Sequence, residues 1–367
     1  MSILFLDGFD HYSTIQAGRK WSSAVVNVVN GGTTPGTCVG RFSGNGWSFQ
    51  NAGVGSYLSQ DIAGSNGIPT VSIGTAFMFG SNANVSSPFL MFQALLHNVQ
   101  VDLRVGVTTS GGDPFGYFQT RVGGVVPSNG TTGAVTPVGC WCFIEFLVTC
   151  DAVNGLIILK VNGTTVISLT GINTRPTITS LISRVRVLPY SFATVSTYTD
   201  AVQFDDLYVT DGGSGISGFI GECRIQTNVP DADGTVNDFA SVGTPSNGQS
   251  NAHHYAFVDD VPSDDDTSYV AGGSVGQRDL YMMSPFNNFN GTIYGVQLNV
   301  THRKDDVGNR TIKGETRQSG IDYEGPTAQC LSQYAISRTL WDQNPATSAP
   351  WTLSQLNGAQ FGVKVQS

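Results

Sequence analysis

Residues 140–169 constrain the fold more than any other part of the sequence. From 140 to 150 every even position is apolar or a thiol: Cys140, Cys142, Ile144, Phe146, Val148 and Cys150. The odd positions mix Trp141, Phe143 and Leu147 with Glu145 and Thr149. Successive side chains of a strand point to opposite faces, so this period-two pattern predicts a strand with its even face buried. Asn154-Gly155 then marks a turn, residues 156–161 a second strand, and Asn162-Gly163 a two-residue turn into a third strand at 164–169. Both residues of an Asn-Gly pair tolerate the positive φ that tight hairpin turns require. The stretch therefore predicts a three-stranded meander.

Further strands are expected at 71–80, 89–96, 99–107, 116–122, 185–188 and 202–209, separated by Gly, Ser and Asn clusters. The run Asp211-Gly212-Gly213-Ser214-Gly215 reads as flexible punctuation between a domain at 1–213 and a second at 216–367. The second domain should open with a strand at 219–226. Its clearest strand is 294–302, with Val296, Leu298 and Val300 on one face and Gln297, Asn299 and Thr301 on the other. Residues 310–317 are its expected partner by proximity, and 361–365 a closing strand. Short helices are expected at 327–340 and 351–356. Regular strand spacing without alternating helices predicts an all-β chain of two β-sandwiches or jelly rolls, the second the smaller.

Composition agrees with this and narrows the function classes. Charged residues make up 12%, half the ordinary value of about 25%. The only glutamates are Glu145, Glu222, Glu315 and Glu324. A net charge of −9 with scattered basic residues argues against a nucleic-acid partner, because phosphate contacts need a surplus of Lys and Arg. No apolar run approaches the roughly 20 residues of a helical membrane span. The opening residues lack a basic leader and a long apolar run, so no signal peptide is expected. Six cysteines without a Cys-x-x-Cys pair make a zinc ribbon improbable.

Residues 1–213 resemble the concanavalin A-like (laminin-G-like) jelly roll. The resemblance is carried by Phe5-Leu6-Asp7-Gly8-Phe9-Asp10, by the meander Trp141-Cys142-Phe143-Ile144-Glu145-Phe146 through Val161-Asn162-Gly163-Thr164, and by Phe204-Asp205-Asp206-Leu207-Tyr208-Val209. With Gly221-Glu222-Cys223-Arg224-Ile225-Gln226 and Asp322-Tyr323-Glu324-Gly325 added, the chain is similar to two-domain structural proteins of tailed-phage virions. That resemblance implies synthesis in the host cytoplasm and a place in the virion as a tail, neck, collar or head appendage. It also implies a symmetric homo-oligomer in contact with other virion structural proteins. The alternative is an adhesin module that binds a host-surface glycan.

Each candidate constellation has a plainer reading beside it. A jelly-roll glucanase needs two carboxylates flanking the scissile bond, about 5–5.5 Å apart in a retaining enzyme. Glu145 stands alone on its strand, and Asp205 and Asp206 should point to opposite faces. The expectation is thus a protein that is not an enzyme and needs no cofactor. Asp264, Asp265 and Asp266, beside Asp259 and Asp260, are calcium candidates or simply a solvated turn. His253 and His254, as neighbours on a strand, would face opposite ways. Cys140, Cys142 and Cys150 lie on the inferred core face, whereas Cys38, Cys223 and Cys330 are candidates for inter-subunit disulfides or are inert thiols. Trp21, Trp47, Trp341 and Trp351 form a sugar-stacking platform or pack in cores and interfaces.

Overall fold

The computed structural model describes residues 2–25, 36–49, 56–64, 66–79, 88–93, 99–175, 181–188, 202–213, 218–245, 248, 253–287 and 290–367. The chain is all-β and divides into two compact units, Met1–Ile225 and Gln226–Ser367.

In chain order the first unit carries β1 (Ile3–Asp7), β2 (Ser23–Val25), β3 (Gly36–Val39), β4 (Asn45–Ser48), β5 (Tyr57–Asp61), β6 (Thr70–Met78), β7 (Pro88–Gln93) and β8 (Val99–Ser110). It continues with β9 (Asp113–Val122), β10 (Thr136–Pro137), β11 (Trp141–Thr149), β12 (Gly155–Val161), β13 (Thr164–Ile172), β14 (Arg184–Val187) and β15 (Gln203–Thr210). One short helix, α1 (Ala17–Lys20), follows β1. Eight strands form a sheet in the order β13-β12-β11-β6-β15-β4-β3, with β1 also paired to β15. Seven form a second sheet in the order β10-β9-β8-β7-β14-β5-β2. Side chains of both sheets meet in one core: Phe5, Ile73, Phe77, Ile144 and Phe204 from the first, Leu58, Val101, Leu103, Phe118 and Val185 from the second.

The meander at β11, β12 and β13 forms as the sequence predicts. Asn162 and Gly163 take φ of 47° and 78° at the tight turn between β12 and β13. The earlier turn is built differently: Gly155 opens β12, and Asp151 Oδ1 accepts the N–H groups of Val153 and Asn154 at 2.7 Å each. The odd face of β11 is also buried, contrary to expectation. Phe143 packs with Ala76 and Tyr208, and Ile220 and Cys223 cover that cluster. Residues 218–225 thus belong to the first unit, and the boundary falls after Ile225 rather than within the glycine-rich run. No strand forms at 219–226.

The second unit carries β16 (Pro230–Asn237), β17 (Ala240–Gly243), β18 (Ser268–Ala271), β19 (Arg278–Met283), β20 (Val296–His302), β21 (Arg310–Gln318), β22 (Ile321–Cys330), β23 (Ala335–Trp341), α2 (Leu353–Gly358) and β24 (Gln360–Val365). A five-stranded sheet runs β16-β19-β24-β21-β22, and β20 pairs with β23 rather than with β21. The helix expected at 327–340 is instead the end of β22, a turn, and β23. Pairing of this segment with β21 and β20 outweighs the helical propensity of its Ala, Gln and Leu residues. One buried apolar cluster here is Trp351, Ala359 and Phe361, and Phe257, Leu280 and Tyr281 are buried as well.

A polar face on the seven-stranded sheet as candidate functional site

Alternation along the seven-stranded sheet sends apolar residues to the core and polar ones to the opposite face. On β8, Val101, Leu103 and Val105 are buried in the core, which places Asp102 and Arg104 on the outer face. On β9, Phe118 and Val122 point inward and Tyr117, Gln119 and Arg121 outward. On β14, Val185 and Val187 are inward and Arg184 and Arg186 outward. On β5, Leu58 is inward and Tyr57, Ser59 and Asp61 outward.

Strand register gathers these groups. Arg121 lies opposite Asp102, Gln119 opposite Arg104 and Tyr117 opposite Gly106. Met91 of β7 is the backbone partner of both Asp102 and Arg186, so β7 joins the two polar groups. Arg186 in turn lies opposite Ser59, Ser59 opposite Ser23, and Arg184 opposite Asp61. With strands about 4.8 Å apart, Arg121 and Arg186 are separated by three strand spacings, roughly 14 Å.

Local contacts set the chemistry of each group. Arg104 donates to both oxygens of Asp102, at 2.8 and 3.3 Å. Burial pushes the Asp102 carboxyl up, and the Arg104 guanidinium opposes that shift. Arg184 Nε donates to Asp61 Oδ1 at 2.5 Å, a bond that raises the Arg184 pKa. Arg186 Nε reaches Ser59 Oγ at 3.4 Å, and its guanidinium lies 4.5 Å from the centre of the Tyr57 ring. Burial lowers the Arg186 pKa. Tyr57 Oη shares a 3.1 Å hydrogen bond with Ser23 Oγ. The Tyr117 ring lies across Gly106, where a Cβ would come within 2.5 Å of the ring. Glycine at 106 therefore lets this ring lie down on the sheet. Hydroxyl, amide, guanidinium and ring groups on one face suit a polyhydroxylated ligand.

The residues singled out from sequence fall elsewhere. Trp21 and Trp47 are 2% and 0% exposed, inside the first core with Phe5, Phe9 and Tyr12. Trp351 is 3% exposed and Trp341 packs partly against the same cluster. Trp21, Trp47 and Trp351 thus offer no exposed ring to a sugar, while Trp341 keeps part of its surface open. Asp264, Asp265 and Asp266 do not converge. Asp264 accepts from Ser268, Asp265 from Ser263, and Asp266 from Arg303 and Tyr334. Among the described residues no group of three or more His, Cys, Asp or Glu side chains is arranged to hold a metal ion. Cys330 is buried, which removes it as a disulfide candidate, and Cys38 and Cys223 are half-buried.

Asp205 and Asp206 do not simply face opposite ways. A register shift in β15 and a φ of 52° at Asp206 place both side chains in buried surroundings. Asp205 Oδ2 accepts the N–H of Arg41, and Asp206 Oδ1 the N–H of Ile225, so both carboxylates fasten loops. Burial raises Asp205 to about 6, and burial together with the Asp205 charge raises Asp206 to about 7. Of the two histidines, His254 Nδ1 is 2.7 Å from the fully buried Asp279, while His253 lies 3.6 Å from Asp233. The polar face itself escaped sequence reading. Its local signals are short alternations such as Val101-Asp102-Leu103-Arg104-Val105 and Arg184-Val185-Arg186-Val187, and the strands that carry them are distant in sequence.

No protein-family model matches the chain, and no curated protein does. Solved structures do. An alginate lyase, Aly36B, in complex with alginate trisaccharide shares 17% identity over 45% of this chain and 80% of its own, with a TM-score of 0.32. An endo-beta-1,4-glucuronan lyase from the fungus Trichoderma reesei shares 13% over 57% and 95%, with a TM-score of 0.34. A Trypanosoma rangeli sialidase shares 14% over 51% and 30%, with a TM-score of 0.30. Likeness at this level speaks to the β-sandwich fold alone. The expectation that the chain is not an enzyme finds no support here, since the matching structures are named as lyases and a sialidase. The missing glucanase carboxylates exclude one mechanism, not enzymatic function.

Proposed function

We propose that the first unit binds a carbohydrate on the outer face of its seven-stranded sheet. One observation carries this reading. Tyr117, Gln119, Arg104, Arg186, Ser59 and Tyr57 share one face across five neighbouring strands, with one tyrosine ring laid on the sheet and the other under a guanidinium. Sugars present alternating hydroxyl edges and apolar ring faces, and such a surface offers a partner for each. The test is glycan binding by the full chain. Tyr117→Ala and Tyr57→Ala should each weaken binding by about ten-fold, taking stacking at roughly 1 kcal/mol or a little more. Unchanged binding in both variants would count against this face. Product analysis of the same mixtures reads whether the bound sugar is also cleaved.

A second reading concerns the other unit. One buried apolar cluster there is Trp351, Ala359 and Phe361, while Val296, Leu298, Trp341 and Met283 around it stay partly exposed. Val275, Val307, Ile321 and Leu331 are exposed outright. Exposed apolar side chains favour association where they gather into a patch. This supports self-assembly through the second unit, as in a virion structural component, a role that otherwise rests on sequence resemblance. Sedimentation of the full chain as a monomer at micromolar concentration would remove that support.

A further inference from the structure

The charges on the polar face point to a narrower class of ligand. Among the described residues Arg104, Arg121, Arg184 and Arg186 share the face with Asp102, Asp61 and, at the turn between β8 and β9, Asp113. A surplus of positive charge on one sheet face is notable in a chain of net charge −9. It creates a local field that favours anions. Two of the four guanidinium groups are already matched, Arg104 by Asp102 and Arg184 by Asp61. Arg121 Nε donates to Gln119 Oε1 at 3.1 Å.

Arg186, like Arg121, has no carboxylate within ion-pair distance among the described residues; its Nε hydrogen bond goes to a neutral hydroxyl, and Asp61 acts on it only from farther off. The guanidinium is half-buried and held over the Tyr57 ring. Removing a charged group from water without a counter-charge costs free energy unless a partner arrives. The Tyr57 ring and the Nε bond to Ser59 hold the guanidinium in place, and its planar fork matches a planar carboxylate through paired hydrogen bonds. Ser59 is buried and holds the Arg186 Nε, while the Tyr57–Ser23 hydroxyl pair stands beside it to meet sugar hydroxyls.

We infer that the glycan bound on this face is acidic, with a sugar carboxylate held by Arg186 above the Tyr57 ring. This rests on the reading of the face as a carbohydrate site and adds the charge of the ligand to it. A neutral sugar would leave the Arg186 charge unmatched, whereas a uronic or sialic acid unit supplies its counter-ion. The same attraction makes binding sensitive to salt.

The experiment is calorimetric titration of the full chain with a set of homopolyuronates and a sialylated oligosaccharide, each beside its carboxyl-reduced counterpart. A sulfated neutral polysaccharide serves as a second anion. The expected result is binding of at least one carboxylate polymer that weakens with salt. Carboxyl reduction and Arg186→Gln should each lower its affinity about ten- to hundred-fold, the range of a charged hydrogen bond. Arg186→Lys should recover part of the loss, keeping the charge without the fork, and circular dichroism should show each variant folded. Equal binding of native and carboxyl-reduced polymers overturns the inference and leaves the carbohydrate reading standing. Preference for the sulfated polymer overturns the carboxylate assignment. No binding to any of them overturns both.

Discussion

Tyr208 Oη donates a 2.6 Å hydrogen bond to Glu145 Oε1, and the same oxygen accepts the backbone N–H of Gly221 at 2.7 Å. The glutamate that stands alone on its strand is therefore a fastener. It ties residues 218–225 to the sheet, and Ile220 N–H adds a further bond to Tyr208 Oη. Glu145 is 2% exposed, so loss of its charge leaves buried donors poorly matched. Glu145→Gln should destabilise the first unit by about 1–3 kcal/mol in chemical denaturation. Hydrogen exchange at Gly221 should quicken, while glycan affinity stays as it is. A variant with native stability and native exchange would show that the fastening is not made in solution.

The Asp205–Asp206 pair gives the first unit a definite pH response. Both folded-state pKa values are raised, to about 6 and about 7, so between pH 4 and 7 the folded chain holds protons that the unfolded chain has lost. Stability from this pair is greatest at low pH and is lost as pH rises through those values. Glu324 behaves oppositely: its bonds to Lys313 and Lys364 hold it at about 2, so its contribution is present above about 4.5 and disappears as pH falls toward 2. Calorimetry of the full chain should show the first unit melting at lower temperature as pH rises from about 4 to 8. Asp206→Asn should flatten that slope, since asparagine keeps the carbonyl that accepts from Ile225 and tolerates the positive φ. A slope unchanged in this variant would assign the effect elsewhere.

The thiols make a third prediction. Cys140 is exposed, Cys142, Cys150 and Cys330 are buried, and Cys38 and Cys223 are half-buried. Burial pushes Cys38 and Cys150 up to about 11 and Cys142 to about 12, which leaves almost no thiolate at neutral pH. Maleimide labelling of the native chain should therefore modify one cysteine quickly, and Cys140→Ser should abolish that fast phase. Rapid labelling at Cys223 or Cys330 would contradict the packing described.

Local signals made part of this fold legible. The thiol and apolar alternation at 140–150 and the Asn162-Gly163 turn are contained within a few residues, and β11, β12 and β13 follow them. Pairings between distant segments are not encoded that way. Proximity in sequence pairs residues 294–302 with 310–317, but the partner of Val296–His302 is Ala335–Trp341. The tryptophans show a related limit: a ring able to stack on sugar is equally able to fill a core, and Trp21 and Trp47 do the latter. The polar face was hidden for a topological reason. Tyr57 and Arg186 meet only because β5 and β14 are neighbours in the sheet, and Arg104 joins them only through β7.

The most direct test of the account is a crystal structure of the full chain grown with an acidic oligosaccharide. The account predicts sugar density along the outer face of the seven-stranded sheet, running from Tyr117 to Tyr57, with a carboxylate on Arg186. Density on another surface, with this face bare, would contradict it.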